Sequence, residues 1–239
     1  MSKVGSFYGL GVGPGDPDLI TMKAVKILNR VDTVFTASSS TNEYSLARRI
    51  GLKYLRAGVE TRNLPFPMTE DEVALNAAWR ANAATIAEVL RSGRSAAFLT
   101  LGDCLTYSTY AYLLPILAEI IPEAPIVSVP GITSYQLAAA RLNRPLAQTK
   151  ESLAILSGGG DPEVFETLLD HSDNVVIMKM GRVREEIVDL LKKKNLAPKT
   201  ALFAKLGLDG EKIDDGLDQE LDPPTYFSLM LVTKRNKAL

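Results

Sequence analysis

The chain has 239 residues, 46% of them hydrophobic and 23% charged, with a formal net charge of -1. That mix belongs to a globular protein long enough for one large domain or two small ones, and it excludes a largely disordered chain. The near-neutral charge excludes a global basic field for holding RNA, and a single cysteine (Cys104) with a single histidine (His171) falls short of the roughly four ligands of a structural zinc site. One cysteine also rules out an internal disulfide, residues 1–6 show no long apolar run, and no window approaches the roughly 18 apolar residues of a membrane span. The expectation is a soluble, cytoplasmic protein with no bound metal of its own, no nucleic-acid partner and no membrane partner.

Short apolar runs alternate with helical patterns, the signature of a mainly parallel sheet with helical crossovers. Residues 7–12 open as a strand that stops in a glycine-rich turn. Over 21–30 the apolar residues Met22, Val25, Ile27 and Leu28 keep helical spacing, with Thr21 or Asp18 available as a cap. Residues 31–37 form a second strand, followed by the polar stretch 38–43. Thr69 and Glu72 are spaced as a capping box for a helix that runs to about residue 92, where Gly93 stops it. A strand over 95–101 delivers Gly102-Asp103, and a helix over about 106–121 follows.

Pro122, Pro125 and Pro130 crowd the next stretch, which places a domain boundary near 118–125 and gives domains of 1–120 and 121–239. The second half alternates again, with strands over 152–156, 175–178, 200–204 and 226–232. Asp161-Pro162 starts a helix that runs to about residue 170, and 182–194 reads as an amphipathic helix with its lysines in the last turn.

Three turns carry candidate chemistry. In Gly9-Leu10-Gly11-Val12-Gly13-Pro14-Gly15-Asp16-Pro17 the dinucleotide-binding register G-x-G-x-x-G fails. Counted from Gly9 the third glycine is replaced by Pro14, and counted from Gly11 it is replaced by Asp16. Proline has no N–H to offer a phosphate and aspartate repels one, so these glycines serve close approach to something else. The plainer alternative is a tight surface turn. Thr100-Leu101-Gly102-Asp103-Cys104-Leu105-Thr106-Tyr107-Ser108 puts a Gly-Asp pair at a strand end, where α/β sheets bind ligands, or where Asp103 simply caps a helix. Val129-Pro130-Gly131-Ile132-Thr133-Ser134-Tyr135 leads into a helix whose N–H groups and hydroxyls suit a polar ligand, unless Thr133 or Ser134 merely caps it.

Taken in order, these motifs resemble the tetrapyrrole (corrin/porphyrin) methylase superfamily. The segment 12–21, the pair Gly102-Asp103 and the segment 129–134 stand where that family shows V-G-x-G-P-G-D-P-x-L-[IL]-T, G-D-P and V-P-G-[IV]-[ST]-[SA]. Val176-Ile177-Met178-Lys179-Met180-Gly181 and Tyr226-Phe227-Ser228 are similar to its later strands, so the likeness spans the chain. One departure is Cys104, where the family usually has proline. Within the family the run from Tyr107 to Tyr110 and the segment from Tyr226 to Met230 look closest to the precorrin-2 or cobalt-factor II C-20 methyltransferases.

The resemblance implies two consecutive α/β/α domains with a cofactor cleft between them, a homodimer, and S-adenosylmethionine as cofactor. Carried over by position, Pro14, Leu101, Gly102, Asp103, Thr106, Thr133, Ser134, Met180, Lys205 and Leu206 would contact that cofactor. The substrate would be a small-molecule tetrapyrrole, methylated at a meso carbon in cobalamin biosynthesis. Another tetrapyrrole methylation (at C-11, C-17 or on uroporphyrinogen III) and a non-catalytic carrier are the alternatives.

A reduced tetrapyrrole brings its own carbon nucleophile, so the protein's work is positioning at about 3–3.5 Å and water exclusion. No serine, cysteine or histidine nucleophile is expected, and Cys104 reads as a small buried hydrophobe. Asp103 and Tyr107 are candidates for the proton acceptor, and His171 reads as a surface residue. Arg48, Arg49, Arg62, Arg141 and Arg144 are available to pair with substrate carboxylates.

Overall fold

Period-two burial builds the first sheet. In β1 (Phe7–Gly11) and β4 (Ala96–Thr100), Phe7, Ala96 and Phe98 enter one apolar cluster while Leu10, Ala97 and Leu99 enter another. A strand buried on both sides needs helices on both, and the chain supplies them. α3 (Glu72–Arg91) and α4 (Tyr110–Ile120) cover the Phe7–Phe98 face through Ile86, Leu90 and Leu113. α1 (Met22–Leu28) and α2 (Leu46–Leu52) cover the other through Ile27, Leu28 and Ile50. Phe7, Phe35, Phe98 and Tyr110 are fully buried, each contributing about 1.5–3 kcal/mol by leaving water. In this computed structural model the described residues are 4–38, 46–158, 160–218 and 227–234. Beyond Ser38, the polar stretch read over 38–43 lies outside them, as does Tyr226.

β2 (Thr33–Ser38), β3 (Glu60–Pro65) and β5 (Ile126–Val129) complete a wholly parallel sheet of order β3-β2-β4-β1-β5. The chain divides into compact units Met1–Thr133 and Ser134–Leu239. The boundary expected near 118–125 is therefore corrected. Pro125 and Pro130 bracket a strand rather than a linker: β5 pairs with β1, and the Phe7 amide donates to the Pro125 carbonyl at 2.9 Å. Proline is tolerated there because β5 is an edge strand.

Helix starts follow side-chain caps. Thr21 accepts from the Ala24 amide, as anticipated. The capping box at Thr69 and Glu72 is replaced by Asp71, whose carboxylate accepts from Val73 and Ala74, while Thr69 accepts from the Asp71 amide. α4 begins at Tyr110 rather than near residue 106, because Tyr107 adopts a left-handed backbone, φ 50°, that no helix continues through.

The N-terminal edge of this sheet is tied by charge. Glu60 accepts from Arg62 and Arg94, Arg94 also donates to Thr33, and Asp32 accepts from the Ser95 amide and from Arg56. Arg62 first and Arg94 second hold the Glu60 carboxyl below its ordinary value of 4.5. A depressed carboxylate contributes stability that is present above the unfolded value and lost as pH falls through the folded one. Thermal midpoints measured from pH 7 down to pH ~3 should therefore drop more steeply for the wild type than for Glu60→Gln. Parallel curves would show the pairs to be stabilising nothing.

The second unit has a sheet of order β6-β7-β10-β8-β9, from β6 (Leu153–Ser157), β7 (Asn174–Met178), β8 (Thr200–Ala204), β9 (Lys212–Asp215) and β10 (Ser228–Thr233). Only β6 and β7 pair in parallel, and β10 runs antiparallel to both its neighbours. The expectation of a mainly parallel sheet holds for the first unit and fails for this one. α6 (Pro162–His171) and α7 (Arg184–Lys193) bury Leu169, Ile187 and Leu191 with Val175, Ile177, Met230 and Val232, while α5 (Ser134–Leu142) packs on β10. Asp161 caps α6 as expected, and α7 is preceded by a 3-10 turn, Gly181–Val183. No helix among the described residues is long and apolar enough to cross a membrane.

Candidate active site

All five strands of the first sheet point the same way, so their C-terminal ends share one edge. At β4 and β1 the connections part: β1 leads to α1 on one face, and β4 leads to α4 on the other. Adjacent strands whose connections leave on opposite faces make a topological switch point, the place where open α/β sheets bind ligands. β5 lies on the far side of β1, so the three turns singled out in the sequence end side by side.

The turns are fastened to one another through backbone. Gly13 and Gly102 form a two-bond bridge, Gly102 N to Gly13 O at 2.7 Å and Gly13 N to Gly102 O at 3.2 Å. Gly11 and Gly131 lie in backbone contact, since a Cβ on Gly131 would fall 2.2 Å from the Gly102 oxygen and 2.7 Å from the Gly11 carbonyl carbon. Gly11 and Gly13 of the first motif therefore approach the other two motifs, while Gly9 makes room for the Tyr110 ring. The Gly13, Gly102 and Gly131 amides are all used inside the protein, which leaves none of them for a phosphate.

Asp103 is the knot of this arrangement. Its Oδ1 accepts from the Leu105 amide at 2.8 Å and the Thr106 hydroxyl at 3.2 Å, and its Oδ2 accepts from the Gly131 amide at 3.0 Å. Gly102 takes φ 72° and is buried, and a Cβ there would make only an ordinary contact with the Ile132 oxygen, at 3.9 Å, so the backbone leaves room beside its α-carbon. The half-buried Leu101 and Thr106, the buried Pro14 and the buried Thr133 belong to the same joined turns. Six of the residues expected to contact a cofactor are thus gathered at one edge: Pro14, Leu101, Gly102, Asp103, Thr106 and Thr133.

The remaining four belong to the second unit. Ser134 opens α5. Met180 follows β7, and Lys205-Leu206 follows β8, at the same edge of that sheet on either side of the start of β10. Lys179 and Lys205 both take φ 53°, and Lys205 N donates to the Phe227 carbonyl at 2.8 Å. The Met180 side chain is buried in the core with Leu169 and Ile177. Burial lowers the Lys179 pKa.

Cys104 is buried, and its Sγ donates to the Val129 carbonyl at 3.3 Å. Burial, and then the Asp103 charge, push its pKa up to about 11. The thiol is therefore protonated at neutral pH and packs as a hydrophobe, taking the place of the family's proline with a bond between the loops after β4 and at the end of β5. A chromogenic disulfide reagent should find no reactive thiol in the native protein at pH 7.5 and one in denaturant. Rapid native labelling would contradict this burial.

The arginines expected for substrate carboxylates are largely committed elsewhere. Arg62 pairs with Glu60, Arg141 with Glu211 and Arg144 with Asp215, while Arg48 donates to the Thr61 hydroxyl at 3.5 Å and Arg49 is exposed. His171 ends α6 at the surface, as read. Among the described residues no group of three or more His, Cys, Asp or Glu is placed to hold a metal ion. Leu105, between the buried Cys104 and Thr106, is exposed, which the sequence analysis did not anticipate. Nothing in a lone leucine within a turn signals that.

The chain is 35% identical over 234 residues to cobalt-precorrin-2 C(20)-methyltransferase of Salmonella typhimurium, covering 97% of each. It is 29% identical to precorrin-2 C(20)-methyltransferase of a Sinorhizobium species, covering 96% of this chain and 95% of that one. In fold it is similar to the solved structure of uroporphyrin-III C-methyl transferase from Thermus thermophilus complexed with S-adenyl homocysteine, with a TM-score of 0.64, 21% identity, and coverage of 95% and 96%. The family model for tetrapyrrole (corrin/porphyrin) methylases matches residues 6–222, and with the three joined turns inside that span the chain belongs to this family.

Proposed function

We propose that the protein is an S-adenosylmethionine-dependent methyltransferase that methylates C-20 of precorrin-2, metal-free or cobalt-bearing, on the route to cobalamin. The observation that carries this reading is the joining of the three turns at the switch point, with room left beside the α-carbon of Gly102, in a chain alike over nearly its whole length to C-20 methyltransferases. When bound, S-adenosylmethionine supplies an electrophilic methyl group on a sulfonium. The chain's own residues do the rest. Leu101, Gly102, Thr106, Thr133 and Pro14 bind the donor at the edge of the first sheet, largely through backbone, which suits small and glycine-rich residues. Ser134, Met180, Lys205 and Leu206 are proposed as further donor contacts, with Met180 acting through its backbone because its side chain is in the core. Asp103, with both oxygens engaged, holds the turns in place and is a positioning residue.

The near-neutral charge and pI of about 6.0 favour a small acidic ring over RNA as methyl acceptor. The reading includes a cytoplasmic location, expected from the sequence, and a homodimer, implied by the family resemblance; a single monomer-mass species in sedimentation would remove the dimer from it. The direct test is transfer of a labelled methyl group to metal-free precorrin-2, to cobalt-factor II and to ribosomal RNA in parallel, with the labelled carbon located by NMR. Label at C-20 of a tetrapyrrole is expected, and the faster of the two rings identifies the route. Label in RNA alone, or at another ring position, would overturn the assignment.

A further inference from the structure

Between the buried Cys104 and the buried Tyr110, the loop after β4 turns two large apolar side chains outward: Leu105 is 55% exposed and Tyr107 is 45% exposed. A loop that only joined β4 to α4 would place polar residues there, and glycine or asparagine at the left-handed position. Instead Tyr107 occupies it at φ 50°, a conformation costing a bulky residue about 1–2 kcal/mol. The surroundings hold it there. Asp103 fixes the Leu105 amide and the Thr106 hydroxyl on one side, and the Ser108 hydroxyl accepts from the Tyr110 amide at 3.1 Å on the other. Strain that the neighbouring structure enforces is a mark of a functional surface.

Other exposed apolar residues lack this setting. Met22, Leu52, Val73 and Val164 sit on helices, Met68 and Phe227 lie in loops without a left-handed backbone, and Tyr112 has one face covered by Trp79, stacked at 4.3 Å. Leu105 and Tyr107 share the hydrogen-bonded loop that carries Asp103 and begins at Gly102.

We propose that Leu105 and Tyr107 form an apolar platform for the flat face of the tetrapyrrole ring, which seats the ring beside the donor. This rests on the methyltransferase reading and names the residues by which that site takes its substrate. A tetrapyrrole is apolar over its faces and carries its carboxylates at the rim. An isobutyl group and an aromatic ring on a fixed loop match the faces, by burial of apolar area and by stacking.

The test compares Leu105→Ser, Tyr107→Asn, Tyr107→Phe and the Leu105→Ser/Tyr107→Asn double variant. Asparagine accepts the left-handed backbone, so Tyr107→Asn removes the ring without refolding the loop. Binding of cobalt-factor II is followed by its visible absorption, binding of S-adenosylhomocysteine by calorimetry, and folding by thermal midpoint. Leu105→Ser and Tyr107→Asn should each weaken tetrapyrrole binding about tenfold, and the double variant more, with donor-product affinity within about twofold and Tyr107→Phe close to wild type. Unchanged tetrapyrrole binding in the double variant overturns the platform, as does a loss in Tyr107→Phe equal to that in Tyr107→Asn. If the wild type binds the ring but transfers no methyl to it, the enzymatic reading falls while the binding comparison still decides the platform. If it binds no ring, both fall.

Discussion

Gly131→Ala is expected to destabilise the first unit by more than about 3 kcal/mol, and Gly11→Ala to do the same, whereas Gly102→Ala stays folded and loses donor affinity instead. A methyl on Gly131 would sit 2.2 Å from the Gly102 oxygen, 2.7 Å from the Gly11 carbonyl carbon and 2.8 Å from the Gly11 α-carbon. A methyl on Gly11 would sit 2.6 Å from both the Gly102 oxygen and the Gly131 nitrogen. Every one of these atoms is backbone, at or just beyond the ends of three adjacent strands, so no flexible side chain can swing aside. Relief requires β1 and β5 to separate, which costs the Gly131–Asp103 bond as well.

Gly102 is the informative contrast. Its methyl would meet only the Ile132 oxygen, at 3.9 Å, so the cost in stability is the left-handed backbone alone, about 1–2 kcal/mol. That methyl would take up the room beside Gly102 assigned to the donor, and affinity for S-adenosylhomocysteine should fall tenfold or more. Urea denaturation and calorimetry on the three variants separate the effects. A folded Gly102→Ala protein that binds S-adenosylhomocysteine like wild type would remove Gly102 from the donor site.

What the sequence reveals of this arrangement depends on where each element lies in its sheet. The central strands are legible because burial on both faces writes continuous apolar runs, as in Ala96-Ala97-Phe98-Leu99 of β4 and Val175-Val176-Ile177 of β7. β3, β5 and β9 escape the reading, and all three are edge strands. An edge strand has less to bury and must resist pairing with other chains, so Glu60-Thr61-Arg62-Asn63 and Lys212-Ile213-Asp214-Asp215 look like loop. For β5 the flanking prolines suggest a linker, and the domain boundary is drawn too early as a result.

The site shows the same division. Order and spacing mark the three glycine turns, because close backbone approach admits few residue types. Their mutual contact is long-range and leaves no local trace: Gly11, Gly102 and Gly131 meet only because β4, β1 and β5 are neighbours. The arginines illustrate the converse. Arg141 and Arg144 look available until the fold brings Glu211 and Asp215 to them from about 70 residues away.

Asp103→Ala should raise the KM for S-adenosylmethionine far more than it lowers kcat, while Asp103→Asn repairs little of the damage. The carboxylate accepts three bonds, two on Oδ1 from the loop after β4 and one on Oδ2 from the Gly131 amide in the loop after β5. Bonds to a charged acceptor are worth about 1.5–3 kcal/mol each when buried, and Asp103 is only partly buried, so a total loss of about 2–4 kcal/mol in stability is expected. Without it the loop bearing Leu101, Gly102 and Thr106 is no longer fixed to the loop bearing Thr133, and donor contacts that depend on both lose their registration. Asparagine has one acceptor oxygen and one amide group. Whichever way it is turned, its NH2 faces either the Gly131 amide or the Leu105 amide, donor against donor. A proton acceptor at the meso carbon would behave differently: its removal would collapse kcat at saturating donor and leave S-adenosylhomocysteine affinity untouched. Steady-state kinetics with donor and tetrapyrrole varied separately, together with calorimetry on both variants, distinguish the two roles. A loss confined to kcat would move Asp103 from positioning to catalysis.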